Sequence, residues 1–358
     1  MVKSTSTSGE TTVDSLDVFS TVIYDYDDYY DSNLIDHVPC AYGSHHNSFL
    51  RVLYSLLFVM GFCGNAFMVW TFKAGNQLRS MTDVCLLNLA LADLLLVLSL
   101  PFLAHYAGNS WIFGRTMCTI VLGIYYVGIY SGIFFIVLMS IGRYLAVVHA
   151  LRVQTKMYWI VASLVVWILA VAASFPELGY LGIEERHGEV LCSAYPSYHP
   201  NHYIRIIGFF KMNVLSLLVP LIILGFCYSM VLWRLHKVRS SMKYGMRLVF
   251  LVTVVFFCCW TPYNVAAFLK GLELMNIVPV DCETSKWILV SLQITEAVAY
   301  SHSCLNPLLY LLVGEKFKKH LIRVLRQTPC VKLKYCKSCL TLDIDSQTAS
   351  MEERTAAI

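Results

Sequence analysis

Seven polar side chains stand inside stretches of sequence that are otherwise apolar: Asn65, Asp93, Arg143, Glu296, His302, Ser303 and Asn306. A charged group at bilayer depth costs a few kcal/mol, so each of the ionisable ones is either matched by a partner or kept for a function. One alone is well explained as a satisfied buried group. The set suits ligand pairing and switching rather than bond breaking. No Ser-His pair, paired aspartates or metal-ligand pattern stands out, so an intramembrane hydrolase is not expected and no cofactor is called for. Cysteines supply the other chemistry. Of the 13, Cys40, Cys118, Cys192 and Cys282 lie on the face that the charge pattern below assigns to the oxidising side. An even set there reads as two disulfides with three possible connectivities. Cys330, Cys336 and Cys339 follow a basic segment near the last apolar run and are candidates for palmitoylation.

The elements that must position these residues are seven apolar runs, at about 50–72, 82–105, 117–149, 157–176, 205–235, 244–270 and 286–313. A helix needs about 20 mostly apolar residues to cross the hydrocarbon core. Lipid offers the backbone no hydrogen-bond partners, which makes helices the expected form. The chain of 358 residues is 57% hydrophobic and only 14% charged, with mean hydropathy +0.61; soluble domains carry about 25% charged residues. The expected fold is an all-α membrane protein, a seven-helix bundle occupying 50–313. A tail (1–49) precedes it, and an amphipathic eighth helix (314–328) and a second tail (329–358) follow. Proline interrupts four spans, at Pro101, Pro220, Pro262 and Pro307, where kinks are expected. No apolar stretch follows Met1-Val2-Lys3, so the first span is expected to act as an uncleaved anchor.

Charge sets the expected orientation. Lys73, Arg79, Arg152, Lys156, Arg239, Lys243 and Lys316–Lys319 share one side, which the positive-inside rule makes cytoplasmic. The opposite side collects Asp25, Asp27, Asp28, Asp31, Glu184, Glu185, Glu189, Glu273 and Asp281. Topology explains the basic side. It does not require the other side to be so acidic, and that points to a basic partner.

The residues along the spans resemble the rhodopsin-like (class A) G-protein-coupled receptors. The matching pieces are Gly64-Asn65, Leu89-Ala90-Leu91-Ala92-Asp93, Arg143-Tyr144, Trp167, Pro220 with Tyr228, Cys259-Trp260-Thr261-Pro262 and Asn306-Pro307-Leu308-Leu309-Tyr310. Arg143–Ala150, Ser99-Leu100-Pro101, Ile294-Thr295-Glu296, His302–Pro307 and Gly314–His320 are similar to the CC chemokine receptors, types four and eight in particular. The resemblance implies bridges Cys118–Cys192 and Cys40–Cys282. It implies a plasma-membrane receptor with its N-terminus outside and a basic chemokine as ligand. Its other partners would be a heterotrimeric G protein of the inhibitory class, receptor kinases, arrestin and membrane lipid, with no nucleic acid.

Two ligand-contacting regions follow from that resemblance. Tyr24, Tyr26, Tyr29 and Tyr30 lie among aspartates and resemble tyrosine-sulfation substrates of the family. The second region is an outer pocket of Tyr54, Tyr125, Tyr126, Tyr263 and Glu296, where aromatics and one carboxylate suit a ligand amine. An amine receptor would be expected to carry Asp where Tyr125 stands, and no lysine lies in 287–313 to hold retinal. For activation, the resemblance assigns Asp93, Gly142, Arg143, Tyr144, Tyr228, Trp260, Pro262, Asn306, Pro307 and Tyr310. Asp93 and Asn306 are also candidate sodium ligands, although Gly132 and His302 replace two other ligands of the wider family. Gly142 departs most, because relatives place an acid before the Arg-Tyr pair. Its loss implies either raised basal signalling or a chemokine scavenger with weak G-protein coupling. A seven-helix transporter would show inverted repeats and broken helices, and neither is visible.

Overall fold

A computed structural model describes residues 48–74, 80–149, 156–175, 177–186, 189–194, 202–237, 243–278 and 281–313. The tyrosines of the tail, Cys40, the side chain of Cys282, the eighth helix and Cys330, Cys336 and Cys339 lie outside the described residues, as does the expected Cys40–Cys282 bridge.

Seven spans are present among the described residues. They are α1 (Ser48–Ala74), α2 (Met81–Tyr106), α3 (Gly114–Val148), α4 (Lys156–Ala173), α6 with α7 (His202–Asn213 and Val219–Lys237), α8 (Lys243–Leu274) and α9 (Cys282–Val313). Five of the seven are long and apolar enough to cross a membrane by composition alone. The fourth is a shorter apolar helix, Met157–Ala173. The seventh is long, at 32 residues, but polar groups dilute it from Glu283 to Asn306. Those groups are functional candidates, so the weakest span by hydropathy is the richest in chemistry.

Side-chain distribution follows from lipid being the solvent. Ile160, Leu164, Ile168 and Leu169 of the fourth span are exposed, whereas Asn65, Asp93, Ser131, Asn264, Ser303 and Asn306 are buried in the bundle. Close helix approach needs small residues at two points. A Cβ on Gly128 would meet the backbone of the second span (Leu96 N at 3.0 Å), and one on Gly64 would meet Pro307 at 2.8 Å. Ser80 starts the second span with a capping box: Asp83 N–H donates to the Ser80 hydroxyl and Ser80 N–H to the Asp83 carboxylate.

Pro220 was expected to kink the fifth span. The distortion takes the form of a π turn, Val214–Leu218, just ahead of it. Proline has no N–H for the carbonyl one turn back, and a widened turn absorbs the mismatch. The hydroxyl of Ser216, in this turn, donates to Asn264 Oδ1 of the sixth span (2.7 Å).

A two-stranded antiparallel hairpin, β1 (Gly182–Arg186) and β2 (Glu189–Ser193), lies at one end of the bundle with Ile183 opposite Cys192. The Cys118–Cys192 disulfide pins it to the third span. Trp111 N–H donates to Val190 O (2.7 Å), and Cys192 N–H donates to the Tyr106 hydroxyl (3.2 Å). The short helix α5 (Glu177–Tyr180) precedes the hairpin and packs on the third span.

Candidate functional site

Polar chemistry is arranged in three layers along the bundle. Nearest the hairpin, Glu296 comes from the seventh span, Tyr125 from the third and Tyr54 from the first. Tyr125 and Tyr300 both donate to Glu296 Oε1, at 2.9 and 2.5 Å. Tyr300 was not among the expected pocket residues. The signal for it is its place one helical turn after Glu296, on the same face. Its ring packs against Tyr54 at 5.7 Å and Tyr125 at 5.9 Å; Tyr126 packs on Tyr125 at 5.0 Å. Tyr263 lies 5.7 Å from Trp260, one layer deeper.

The residues of the expected pocket are also packed on one another. Tyr54, Tyr125, Tyr263 and Glu296 are all buried, Glu296 to 6% exposure. The carboxylate does not wait for an external partner, because two phenols already solvate it. Together the two bonds hold the carboxyl group in one place.

The middle layer centres on Asp93. Its Oδ1 accepts from the Ser303 hydroxyl (3.1 Å) and its Oδ2 from Asn306 Nδ2 (2.8 Å). His302 Nε2 lies 3.5 Å from Oδ1, and the Trp260 indole donates to His302 Nδ1 (3.2 Å). One imidazole thus links the carboxylate to the tryptophan beside Pro262. Asn65 donates to Ser303 O (2.8 Å) and Gly61 O (2.9 Å), tying the first span to the seventh. These residues do not fit the candidate sodium ion. Both Asp93 oxygens accept protein donors, Gly132 has no side-chain oxygen, and His302 presents nitrogen.

At the far end, Arg143 Nε is buried without a hydrogen-bond partner among the described residues. In sequence Arg143 has no adjacent counter-charge; the structure brings Asp83 of the second span within electrostatic reach of it. Gly142 faces Met81, whose sulfur would be 3.1 Å from an added Cβ. The Tyr144 hydroxyl meets His149 Nε2 at 2.9 Å. The Tyr228 hydroxyl lies 3.0 Å from Thr253 Oγ1 and 3.3 Å from Ser140 Oγ. Tyr310 is buried, its hydroxyl without a partner among the described residues; Pro262 and Pro307 lie inside their helices.

A partly buried ion pair that does not stand out in the sequence also shapes the hairpin end. Lys211 of the fifth span pairs with Glu177 and donates to the carbonyls of Ala173 (2.7 Å) and Phe175 (2.8 Å). It caps the end of the fourth span, 5.3 Å above the Tyr130 ring.

Comparison with known proteins agrees with this arrangement. The family described as 7 transmembrane receptor (rhodopsin family) matches residues 64–310. C-C chemokine receptor type 4 of Homo sapiens is 38% identical over 313 residues, covering 86% of each chain. C-C chemokine receptor type 3 of Cavia porcellus is 39% identical over 291 residues, 80% of each chain. The type 3 receptor of Macaca fascicularis is 42% identical over 282 residues, 76% of this chain and 78% of its own.

Proposed function

Because the chain belongs to the rhodopsin-family seven-transmembrane receptors, and within them to the C-C chemokine receptors, we propose that it binds a basic chemokine and signals through a heterotrimeric G protein. This is a family of multi-pass plasma-membrane receptors and not of enzymes. The hairpin end faces outward in this reading, on the side of the membrane to which the sequence assigns the acidic tail that carries Tyr24, Tyr26, Tyr29 and Tyr30. The tail holds the globular part of the chemokine by charge, which the sulfation expected at these tyrosines would strengthen. The chemokine's free N-terminal amine then enters toward Glu296.

The observation that carries the reading is the carboxylate of Glu296 held by Tyr125 and Tyr300 among aromatic faces. An ammonium arriving there finds a positioned carboxyl group and ring faces once the buried tyrosines part to admit it. Its contact with Tyr125 and Glu296 loads the third and seventh spans. From there the Asp93–His302–Trp260 contacts lead to the sixth span at Pro262. Opening of that span frees Arg143, Tyr228 and Tyr310 for a G-protein helix, of the inhibitory class in this reading. Thr341, Ser346, Thr348, Ser350 and Thr355 offer hydroxyls to receptor kinases, and arrestin follows. Cys330, Cys336 and Cys339 anchor the second tail to lipid through acyl chains.

One observation favours a second reading. Gly142 removes the acid that relatives place beside the arginine, so weak coupling and chemokine scavenging is the alternative. A chemokine panel on cells expressing the chain separates the two, read for binding, G-protein activation and arrestin recruitment. Binding with activation supports the receptor, and binding with uptake alone supports the scavenger. No binding across the panel overturns both.

A further inference from the structure

We infer that Ser140, Tyr228 and Thr253 form a hydroxyl clasp that holds spans three, five and six closed at the Arg143 end. Ser140 and Thr253 act as positioning residues for Tyr228. The inference rests on reading the chain as a signalling helix bundle. Tyr228 hangs from the fifth span with its oxygen 3.3 Å from Ser140 Oγ of the third and 3.0 Å from Thr253 Oγ1 of the sixth. Ser140 and Thr253 are buried at 2% and 5% exposure.

Proton accounting shows how the three fit. The Thr253 hydroxyl donates to Val249 O (2.9 Å), leaving its oxygen to accept the single Tyr228 proton. The Ser140 proton is shared between Ile136 O (3.0 Å) and the Tyr228 oxygen. Each hydroxyl thus has a partner while the spans stay together. Outward movement of the sixth span removes the Thr253 acceptor and leaves Tyr228 to find another.

Arg143 makes the clasp necessary. No carboxylate precedes it in sequence, its Nε has no hydrogen-bond partner among the described residues, and Asp83 is already engaged in the capping box of the second span. Asp83 acts on Arg143 through charge, yet such a pairing joins the third span to the second and leaves the sixth free. The hydroxyls join the span that must move to the two that stay. Tyr228 also lies within electrostatic reach of Arg143.

The test uses the full-length receptor in lipid nanodiscs, with spin labels carried on non-natural residues at positions 158 and 247, at the near ends of spans four and six. Thr253→Val keeps the shape and removes the hydroxyl; Thr253→Ser keeps the hydroxyl. Ser140→Ala is a second probe should Thr253→Val fail to fold. Without ligand, Thr253→Val should raise the ratio of open to closed distances about fivefold, the factor expected for loss of one neutral hydrogen bond. Thr253→Ser should match the parent, and ligand-independent G-protein activation should follow the same order at equal surface expression. A distance shift with no G-protein activity in any variant keeps the clasp and defeats the signalling reading. Distances for Thr253→Val equal to the parent, or Thr253→Ser shifting as much, overturn the clasp.

Discussion

Replacing Glu296 by glutamine keeps the shape and lets the amide oxygen accept from Tyr125 and Tyr300 as the carboxylate does. Only the charge is lost. We expect chemokine efficacy in G-protein activation to fall at least tenfold while affinity changes less than threefold, because the tail still holds the chemokine core. Efficacy and affinity both at the parent level would make Glu296 a structural anchor for the tyrosines. Gly142→Asp returns a carboxylate beside Arg143 but must displace the Met81 sulfur by a few tenths of an ångström. Ligand-independent G-protein activity should drop about two- to threefold at equal surface expression. In a scavenger the same change would instead create chemokine-dependent activation. Identical basal and stimulated activity in both forms would leave Gly142 with no switching role.

Between elements, the ion pair Lys211–Glu177 is open to a single-substitution test. Glu177→Leu leaves a partly buried ammonium among two carbonyls and the Tyr130 ring, and its loss should stay below the about 3–5 kcal/mol of a fully buried pair. The thermal midpoint in detergent should fall by several degrees, and the double variant with Lys211→Met should recover most of the loss. A midpoint unchanged by Glu177→Leu would mean that the carbonyls alone hold the lysine. The hairpin depends likewise on Cys118–Cys192, which closes a sequence separation of 74. Cys118→Ser should abolish chemokine binding and cut surface expression, measured by an N-terminal epitope. At the start of the seventh span, Asp281 accepts from Thr284 N–H (3.1 Å), and the Thr284 hydroxyl and amide hold its carboxyl below the usual range. Its capping contribution is full above the ordinary carboxylate pKa, about 3.9, and is lost as pH falls through the lower folded value.

For the whole molecule, charge separation between the two ends governs encounter with a basic ligand. Replacing Tyr24, Tyr26, Tyr29 and Tyr30 by Phe should weaken chemokine binding and flatten the dependence of association rate on salt. Steering charges are screened over about 8 Å at physiological ionic strength. Unchanged affinity and salt slope at equal surface expression would remove the tail from recognition. The seven spans, their order and the Arg143 end were legible because hydropathy and charge act on each segment independently of its neighbours. Asp93, Glu296, Arg143 and the prolines stood out for the same reason: a polar group or a missing N–H in an apolar run is visible without knowing the fold. Tyr300, Thr253, Ser140 and Lys211 did not stand out. A tyrosine or serine is unremarkable within a span, and a lysine at a span's end passes for an interface anchor. Their importance is a matter of what the other spans bring to them, such as Tyr125 beside Glu296, or Tyr228 between Ser140 and Thr253. The sequence by itself thus determined how many times the chain crosses the membrane and which polar groups it buries. The tertiary structure decided which of those groups satisfy one another, because the partners lie tens to hundreds of residues apart and meet only when the helices pack.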